Sequence, residues 1–384
     1  MVETDSNRDR EDGDVSASAC ESLLSRWDVP PSVRSATLRE SLAFTRPLMD
    51  LIPEANLVHV QIDLPQGWNL YNPSILHTAD GLLMTARSSN WEYKRHHYYR
   101  VNAADQIPRS RNYLLHLDVD LHPQSIVLLA DATDRSAEML SGDRGYNDLR
   151  LVEYAGTLRA VATTLDFSAS DVSQMALMDV REGRLTNLSL LSDGMARAEK
   201  NWAPAIWNGE LMFVYAFCPM TLLRWYGARL LPAGLRAYLG PPIALDFRGG
   251  SQLVQIDTGY LTVVHASADF DDGSRVYVHR FVSLDQEFRI TGVSPQFVFQ
   301  QQGIEFAAGL AIDGESVIIS FGAADMESWL VRVPLTAVHR LLAPPREMTP
   351  TAQPRAALAA SNNRSASAAP AASPVADSEY LSTS

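Results

Sequence analysis

One pattern recurs five times and limits the fold of this chain more than any other feature: an apolar strand, a turn ending in Gly, then a second apolar strand. The five copies lie at residues 74–84, 149–158, 205–214, 253–263 and 310–319. Asp80-Gly81, Asn208-Gly209 and Asp313-Gly314 are tight-hairpin dipeptides, because Gly supplies the positive φ that such turns need. The turn glycines 81, 156, 209, 259 and 314 are spaced by 75, 53, 50 and 55 residues, close to the length of a four-stranded blade. A second strand pair follows most hairpins: Tyr113–Leu117 with Ile126–Leu129, Met175–Val180 with Leu188–Leu191, and Val276–Phe281 with Phe288–Ile290. The fifth unit has only Trp329–Val333 after its hairpin, so the early strand Leu57–Ile62 is expected to complete it and close a ring. The repeat predicts an all-β, five-bladed β-propeller over residues 56–343. A stack of β-sandwiches is the competing architecture, and it does not require a regular five-fold recurrence.

The flanks differ in composition. Residues 1–17 are charged and free of aromatics and read as disordered. Residues 18–55 carry mixed helical periodicity and read as a short helical lead-in, while residues 344–384 form an Ala/Ser/Pro-rich flexible tail. The apolar and basic stretch Leu222 to Tyr238 reads as a blade strand with a long loop, in preference to an amphipathic insertion.

A net charge of −13 argues against a nucleic-acid partner, which would need a clustered basic surface. No apolar run approaches the length of an integral membrane segment. The polar, acidic N-terminus is unlike a secretory signal, and two distant cysteines, Cys20 and Cys218, suit a reducing compartment, so the expected location is cytoplasmic. His96-His97-Tyr98-Tyr99-Arg100 suggests metal ligands at first sight. Adjacent histidines on a strand face opposite ways, however, and no acidic partner stands at ligand spacing. No metal or cofactor is expected, and this stretch is read as a loop at the mouth.

The repeat also organises polar residues. Eight or nine positions before each turn Gly come Asn72, Asp148, Lys200 with Asn201, Gly250 with Ser251, and Glu305. Six positions after it come Arg87, Ala162, Tyr215, His265 and Ser320. At a rise of about 3.3 Å per residue, these strand ends lie together some ~20 Å from the turns. In a propeller they converge on one mouth of the channel, with Asp325 just beyond the fifth hairpin. Taken singly, each has a structural explanation: Asp148 and Glu305 as strand starters, Lys200 as a solvated charge, His265 as a core histidine, Asp325 as a turn residue. Jointly they differ in sign and type at equivalent positions, which a purely structural repeat would not produce.

Asn147-Asp148-Leu149-Arg150, Glu199-Lys200-Asn201-Trp202, Gly249-Gly250, His265, Tyr277 and Phe321-Gly322-Ala323-Ala324-Asp325 occur in an order that resembles the motifs of the five-bladed β-mannoside phosphorylases and hydrolases of glycoside hydrolase family 130. Related β-mannosyltransferases share that fold. The resemblance spans residues 70–332 and departs in places: Asn147 and Leu149 replace a Glu and a Pro, and Arg248-Gly249-Gly250-Ser251 lacks a proline run. It implies a carbohydrate substrate, Asp148 as general acid, and Lys200, His265 and Tyr277 as sugar or anion ligands, with inorganic phosphate or a sugar phosphate as co-substrate. Asn72, Arg87, Arg150, Asn201 and Arg248 join the expected binding set. Asp325 joins Asp148 and Glu305 as a candidate catalytic carboxyl, Glu305 is the candidate base if water is the acceptor, and Trp202 or Trp91 could stack on a pyranose. A glycosyltransferase using an activated donor and a non-catalytic glycan-binding propeller are the alternatives.

Overall fold

A computed structural model of the chain describes residues 38–94, 99–134, 145–167, 172–191, 198–227, 229–232 and 240–345. The expected disordered N-terminus, most of the lead-in, His96 to Tyr98 and nearly all of the C-terminal tail lie outside the described residues.

Among the described residues, five mainly antiparallel sheets carry the fold, and each begins at one of the five repeats. The first contains Asn69–Thr78, Gly81–Ser89, Ser110–Leu117 and Pro123–Leu128. The second contains Tyr146–Tyr154, Thr157–Thr164, Gln174–Arg181 and Arg184–Leu191. The third contains Ala203–Trp207, Glu210–Phe217, Met220–Tyr226 and Arg229–Pro232, so the described part of the apolar and basic stretch supplies blade strands, while its residues 233–239, where the long loop was expected, lie outside the described residues. In the fourth, the inner position is split between Arg248–Gly249 and Val254–Ile256, both paired with Gly259–Asp269; Arg275–Leu284 and Ile290–Val293 follow. The fifth contains Glu305–Asp313, Ser316–Ala323 and Glu327–Pro334. Its outermost strand is Asn56–Val60, paired antiparallel with Glu327–Pro334, so the chain closes its own ring as the sequence predicts.

Hydrophobic clusters confirm the circular order, because each fills the seam between two neighbouring sheets. Ile75, Met84 and Leu115 of the first sheet pack with Ala311, Ile318 and Leu330 of the fifth. Leu83 and Leu114 pack with Leu149, Leu151 and Met178 of the second. Val161 and Leu177 meet Leu211 and Phe213 of the third, whose Met212 and Val214 meet Val264 and Val282 of the fourth. Leu261, Val263 and Phe281 of the fourth meet Leu310, Ile319 and Val331 of the fifth. Alternate residues of every central strand therefore face one seam or the other, which explains strands that are apolar on both faces.

Buried polar contacts stitch the inner ends. Gln252 Nε2 donates to the carbonyls of Ile75 and Leu310, and its Oε1 accepts from the Leu310 amide, tying the fourth sheet to the first and fifth. Ser320 Oγ donates to the Pro73 carbonyl across the closing seam. The described part of the lead-in holds a 3₁₀ turn at Leu42–Phe44, a short helix at Leu48–Leu51 and the strand Arg46–Pro47, which pairs with Phe297–Val298 of the fourth sheet. Among the described residues, no helix is long and apolar enough to cross a membrane.

The closing seam admits no side chain at Gly309. A Cβ there would stand 2.3 Å from the Ile75 amide nitrogen and 2.7 Å from Ser74 Cα. Gly309→Ala is expected to lower the unfolding free energy by about 1–3 kcal/mol, the usual cost of overpacking a well-filled core. Urea denaturation measures it, and an unchanged midpoint would show that the seam is looser than this geometry.

Candidate functional site

The inner strands of the first, second and fifth sheets each break register at the mouth, between Tyr71 and Ser74, Asn147 and Arg150, and Ala307 and Gly309. The residues at the first two breaks are left-handed, Asn72 at φ 47° and Asp148 at φ 55°; Asn201, just before the third inner strand, has φ 64°. Asn and Asp are the non-glycine residues that best tolerate this conformation. The backbone therefore gives a reason for Asn, Asp and Asn at equivalent repeat positions beside any chemical one. A bulge also re-aims its side chain, here toward the channel axis.

Asp148 is held from two directions. Its Oδ1 accepts from Asn72 Nδ2 at 2.9 Å and from Arg87 Nη1 at 3.1 Å. Arg87 is 7% exposed and Asp148 is 21% exposed, so the pair forms a wall of the cavity and keeps some contact with solvent. The guanidinium lies 5.1 Å from the Tyr71 ring centroid and 5.0 Å from that of Trp91, and its Nε donates to Ser110 Oγ. Ser110 in turn donates to Asn147 Oδ1, so the Asn that departs from the family motif anchors Arg87 through a hydroxyl. Burial works against the Arg87 charge, but Tyr71, Asp148 and Asp325 outweigh it and raise its pKa.

A cavity of about 1110 Å³ opens here, and it brings together Asn72, Arg87, Asp148, Lys200, Asn201, Arg248, His265, Tyr277 and Asp325. Burial lowers the Lys200 pKa, and the neighbouring charges of Arg248 and Arg275 lower it further. Burial likewise holds His265 neutral, well below the usual imidazole range, with His279, Arg248, Arg150 and Lys200 acting in the same direction. His265 therefore offers a neutral ring, and any charge on that wall comes from lysine and arginine. Burial pushes the Asp325 carboxyl up to about 6; Arg87 opposes the shift, Asp148 adds to it and Arg275 opposes it again.

Two expected site residues, Glu305 and Arg150, take other places, and a third, Trp202, borders the cavity while packing mostly in a seam. Glu305 is 2% exposed, and its carboxylate accepts backbone N–H bonds from Phe299 at 2.6 Å, Gln300 at 2.8 Å and Gln301 at 3.1 Å. It caps a turn between the fourth and fifth sheets and does not line the cavity. Trp202 is 1% exposed, packs in the seam of the second and third sheets, and donates its indole N–H to Glu199 at 3.0 Å. It still borders the cavity, with only a sliver of its surface exposed. Arg150 is fully buried behind the mouth, donating from Nε to the Gly250 carbonyl at 2.6 Å and from Nη2 to Asn201 Oδ1 at 3.3 Å. Burial draws its pKa down to about 10, and it positions the second, third and fourth sheets relative to one another.

Arg275 lines the mouth without having been expected there, while Tyr99, from the stretch read as a loop at the mouth, lines it from a strand. Arg275 clasps Asp269 through Nε at 2.6 Å and Nη2 at 3.2 Å, directly opposite it in strand register. Tyr99 sits on a two-stranded ribbon, Trp91–Tyr93 paired with Tyr99–Val101, and packs edge-on to Trp91 at 4.8 Å. Tyr93 at the ribbon end donates to the Gly273 carbonyl of the fourth sheet's hairpin, so the ribbon joins the first blade to the fourth at the rim. The alternation of this aromatic segment could have signalled a strand; its reach across the mouth could not have been read locally.

The architecture has solved counterparts. The β-1,2-mannobiose phosphorylase of Listeria innocua superposes with a TM-score of 0.50 at 13% identity, over 73% of this chain and 95% of that one. The chain has the fold of the mannoside phosphorylases. A candidate glycosidase from Bacteroides thetaiotaomicron gives a TM-score of 0.51 at 13% identity, over 69% of this chain and 87% of that one. A candidate glycoside hydrolase from Parabacteroides distasonis gives 0.50 at 12%, over 69% and 86%. No protein-family model matches the sequence, and no curated protein matches it.

The assignment of Glu305 to the scaffold has a direct consequence. Glu305→Gln replaces one acceptor oxygen with an NH₂ group facing backbone donors, so it is expected to lower stability by about 1–3 kcal/mol while leaving KM and kcat near wild type. Thermal denaturation and steady-state kinetics on one preparation check this; a stable protein with lost turnover would return Glu305 to the chemistry.

Proposed function

We propose that this protein is a carbohydrate-active enzyme that cleaves or forms a β-mannoside-type glycosidic bond at the propeller mouth, with inorganic phosphate as co-substrate. One observation carries the reading: Lys200, crowded by Arg248 and Arg275, shares a cavity with the Asp148 and Asp325 carboxyls. Breaking a glycosidic bond needs a proton at the bridging oxygen and a nucleophile at the anomeric carbon. A carboxyl pair supplies the first requirement, and a cationic wall supplies a seat for an anionic nucleophile. Hydrolysis would instead need a base for water, and the carboxylate expected in that role, Glu305, accepts three backbone amides elsewhere. The shared fold of the Listeria innocua phosphorylase is consistent with this choice.

Asp148 is the centre of the reading. As the proposed general acid it is placed by Arg87 and Asn72, which fix one carboxyl oxygen at the cavity wall, where the bridging oxygen of a bound glycoside would lie. Trp91 stands beside Arg87 and is the aromatic wall available to a pyranose face.

The deciding experiment incubates the protein with β-linked manno-oligosaccharides, with and without inorganic phosphate. The expected product is mannose 1-phosphate, formed only when phosphate is present. Phosphate-independent release of free mannose would replace phosphorolysis with hydrolysis, and consumption of a nucleotide sugar alone would select a transferase. Asp148→Asn should cost about 10²–10⁴-fold in turnover and leave sugar binding intact. If that variant matched wild type, the chemistry would lie elsewhere, as in a purely glycan-binding propeller. Lys200→Ala or Arg248→Ala should raise KM for phosphate by roughly 10-fold or more, the worth of one charge-assisted hydrogen bond, with little change in KM for the glycoside.

A further inference from the structure

A second cavity, of about 330 Å³, stands beside the mouth. It is bounded by the lead-in at Leu38 and Ser41, by the 3₁₀ turn Pro242–Asp246 and by the fourth sheet. Leu38, Ile243, Phe247, Val264, Ala266 and Val278 give it mostly hydrocarbon walls. Leu38, Asp246, Phe247, His265 and Ala266 border the mouth as well, whereas Asp148, Asp325, Lys200 and Arg248 border the mouth alone.

One guanidinium stands in these walls. Arg280 follows His279 on the strand Arg275–Leu284, and strand alternation puts it, with Val278, on the face away from His279. Its Nη1 donates to the Ser294 carbonyl at 2.8 Å and its Nη2 to Gln296 Oε1 at 3.3 Å. Both acceptors are neutral. Among the described residues, no carboxylate forms an ion pair with Arg280, whereas Arg87, Arg159, Arg275 and Arg332 each hold one. Burial draws the Arg280 pKa down to about 10, with no neighbouring charge raising it again. The guanidinium is also fixed. Gln296, which accepts from it, donates from Nε2 to Ser41 Oγ at 3.1 Å and to Thr45 Oγ1 at 2.5 Å. The lead-in that carries these hydroxyls is itself paired to the fourth sheet, Arg46–Pro47 with Phe297–Val298. A cation anchored in an apolar cavity is preorganised for an anionic ligand with an apolar body.

We propose that this cavity is a second ligand site, for a small monocarboxylic acid whose carboxylate sits on Arg280 and whose hydrocarbon body packs against Leu38, Phe247, Val264 and Val278. The planar guanidinium matches a carboxylate in geometry and charge, and the bound anion would offset a buried charge that now has no ionic partner. A sugar or a sugar phosphate fits poorly, because its hydroxyls would face walls that offer few hydrogen-bond partners. The volume is at the lower end of the range for small-molecule pockets, which suits a short-chain acid and excludes a long-chain lipid. The lead-in thereby gains a role beyond covering the fourth sheet: it supplies one wall of the site and holds the residue that orients Arg280.

Titration calorimetry of the full-length protein with sodium hexanoate tests the site, with 1-hexanol as a neutral control of equal chain length. Hexanoate is expected to bind with a Kd of about 1 mM or below, and roughly 10-fold or more tighter than 1-hexanol. Arg280→Met keeps the length of the side chain and removes its charge, and should weaken hexanoate by roughly 10–100-fold, the worth of a hydrogen bond to a charged group. Ile243→Asp is a second arm at a position 40% exposed, where the fold tolerates a polar side chain. It sets a like charge beside the carboxylate and should also weaken hexanoate, with an unchanged thermal midpoint. Lys200→Ala, in the mouth, should leave hexanoate affinity within about twofold of wild type, as expected for an independent site. The proposal is overturned if hexanoate does not bind, if 1-hexanol binds as tightly, or if Arg280→Met and Ile243→Asp both retain full affinity. It is equally overturned if Lys200→Ala abolishes binding, because the acid would then sit in the mouth. The titration needs no turnover of a glycoside, so its failure and the failure of the glycosidic reading are separate results.

Discussion

The Arg87–Asp148 ion pair is the contact on which the mouth depends. It joins the second strand of the first blade to the inner strand of the second, and Asn72 completes it from the first blade's own bulge. Removing Arg87 would leave a partly buried carboxylate with one amide partner, a costly arrangement in a low-dielectric wall. The guanidinium is also fixed by Tyr71, Trp91 and the Ser110–Asn147 link, so the position of Asp148 is set by residues from several parts of the chain. Asn147 thereby gains a structural explanation: its side chain accepts from the hydroxyl that holds Arg87.

Behind this pair the channel is braced by buried polar groups. Arg150 links the Gly250 carbonyl to Asn201, and Gln252 spans the Ile75 and Leu310 carbonyls. Five inter-blade seams supply the bulk of the burial, and the ring closes through a strand from the N-terminal side of the domain. Stability thus resides in the seams and in these braces. The mouth can carry like-charged neighbours such as Lys200 with Arg248, which a folding core would exclude. A cationic wall of this kind is a seat for an anion, and the proposed phosphate would fill it.

Much of this was legible in the sequence because the repeat carries both the hairpins and their converging ends. Asn72, Arg87, Asp148, Lys200 and His265 meet in one cavity because strand rise and blade length fix where a residue eight before or six after a turn must lie. Glu305 obeys the same count yet turns away, since its carboxylate is consumed by a loop that folds back over residues 299–301. Trp202 borders the cavity yet turns most of its ring into the seam, where Glu199, three residues before it, accepts its indole N–H. Arg275 could not be found by counting from a turn glycine, because its place depends on the cross-strand pairing with Asp269. The left-handed backbone at Asn72, Asp148 and Asn201 likewise leaves only a preference for Asn and Asp, which also reads as chemistry.

The central claim is that one sugar ring and one phosphate meet between Asp148, Asp325 and the Lys200–Arg248 wall. A crystal structure of the Asp148→Asn protein soaked with a β-linked mannobiose and inorganic phosphate tests it most directly. The account predicts the bridging oxygen beside residue 148 and phosphate against Lys200 and Arg248. A sugar bound away from residue 148, or phosphate absent from that wall while the sugar is in place, would contradict it.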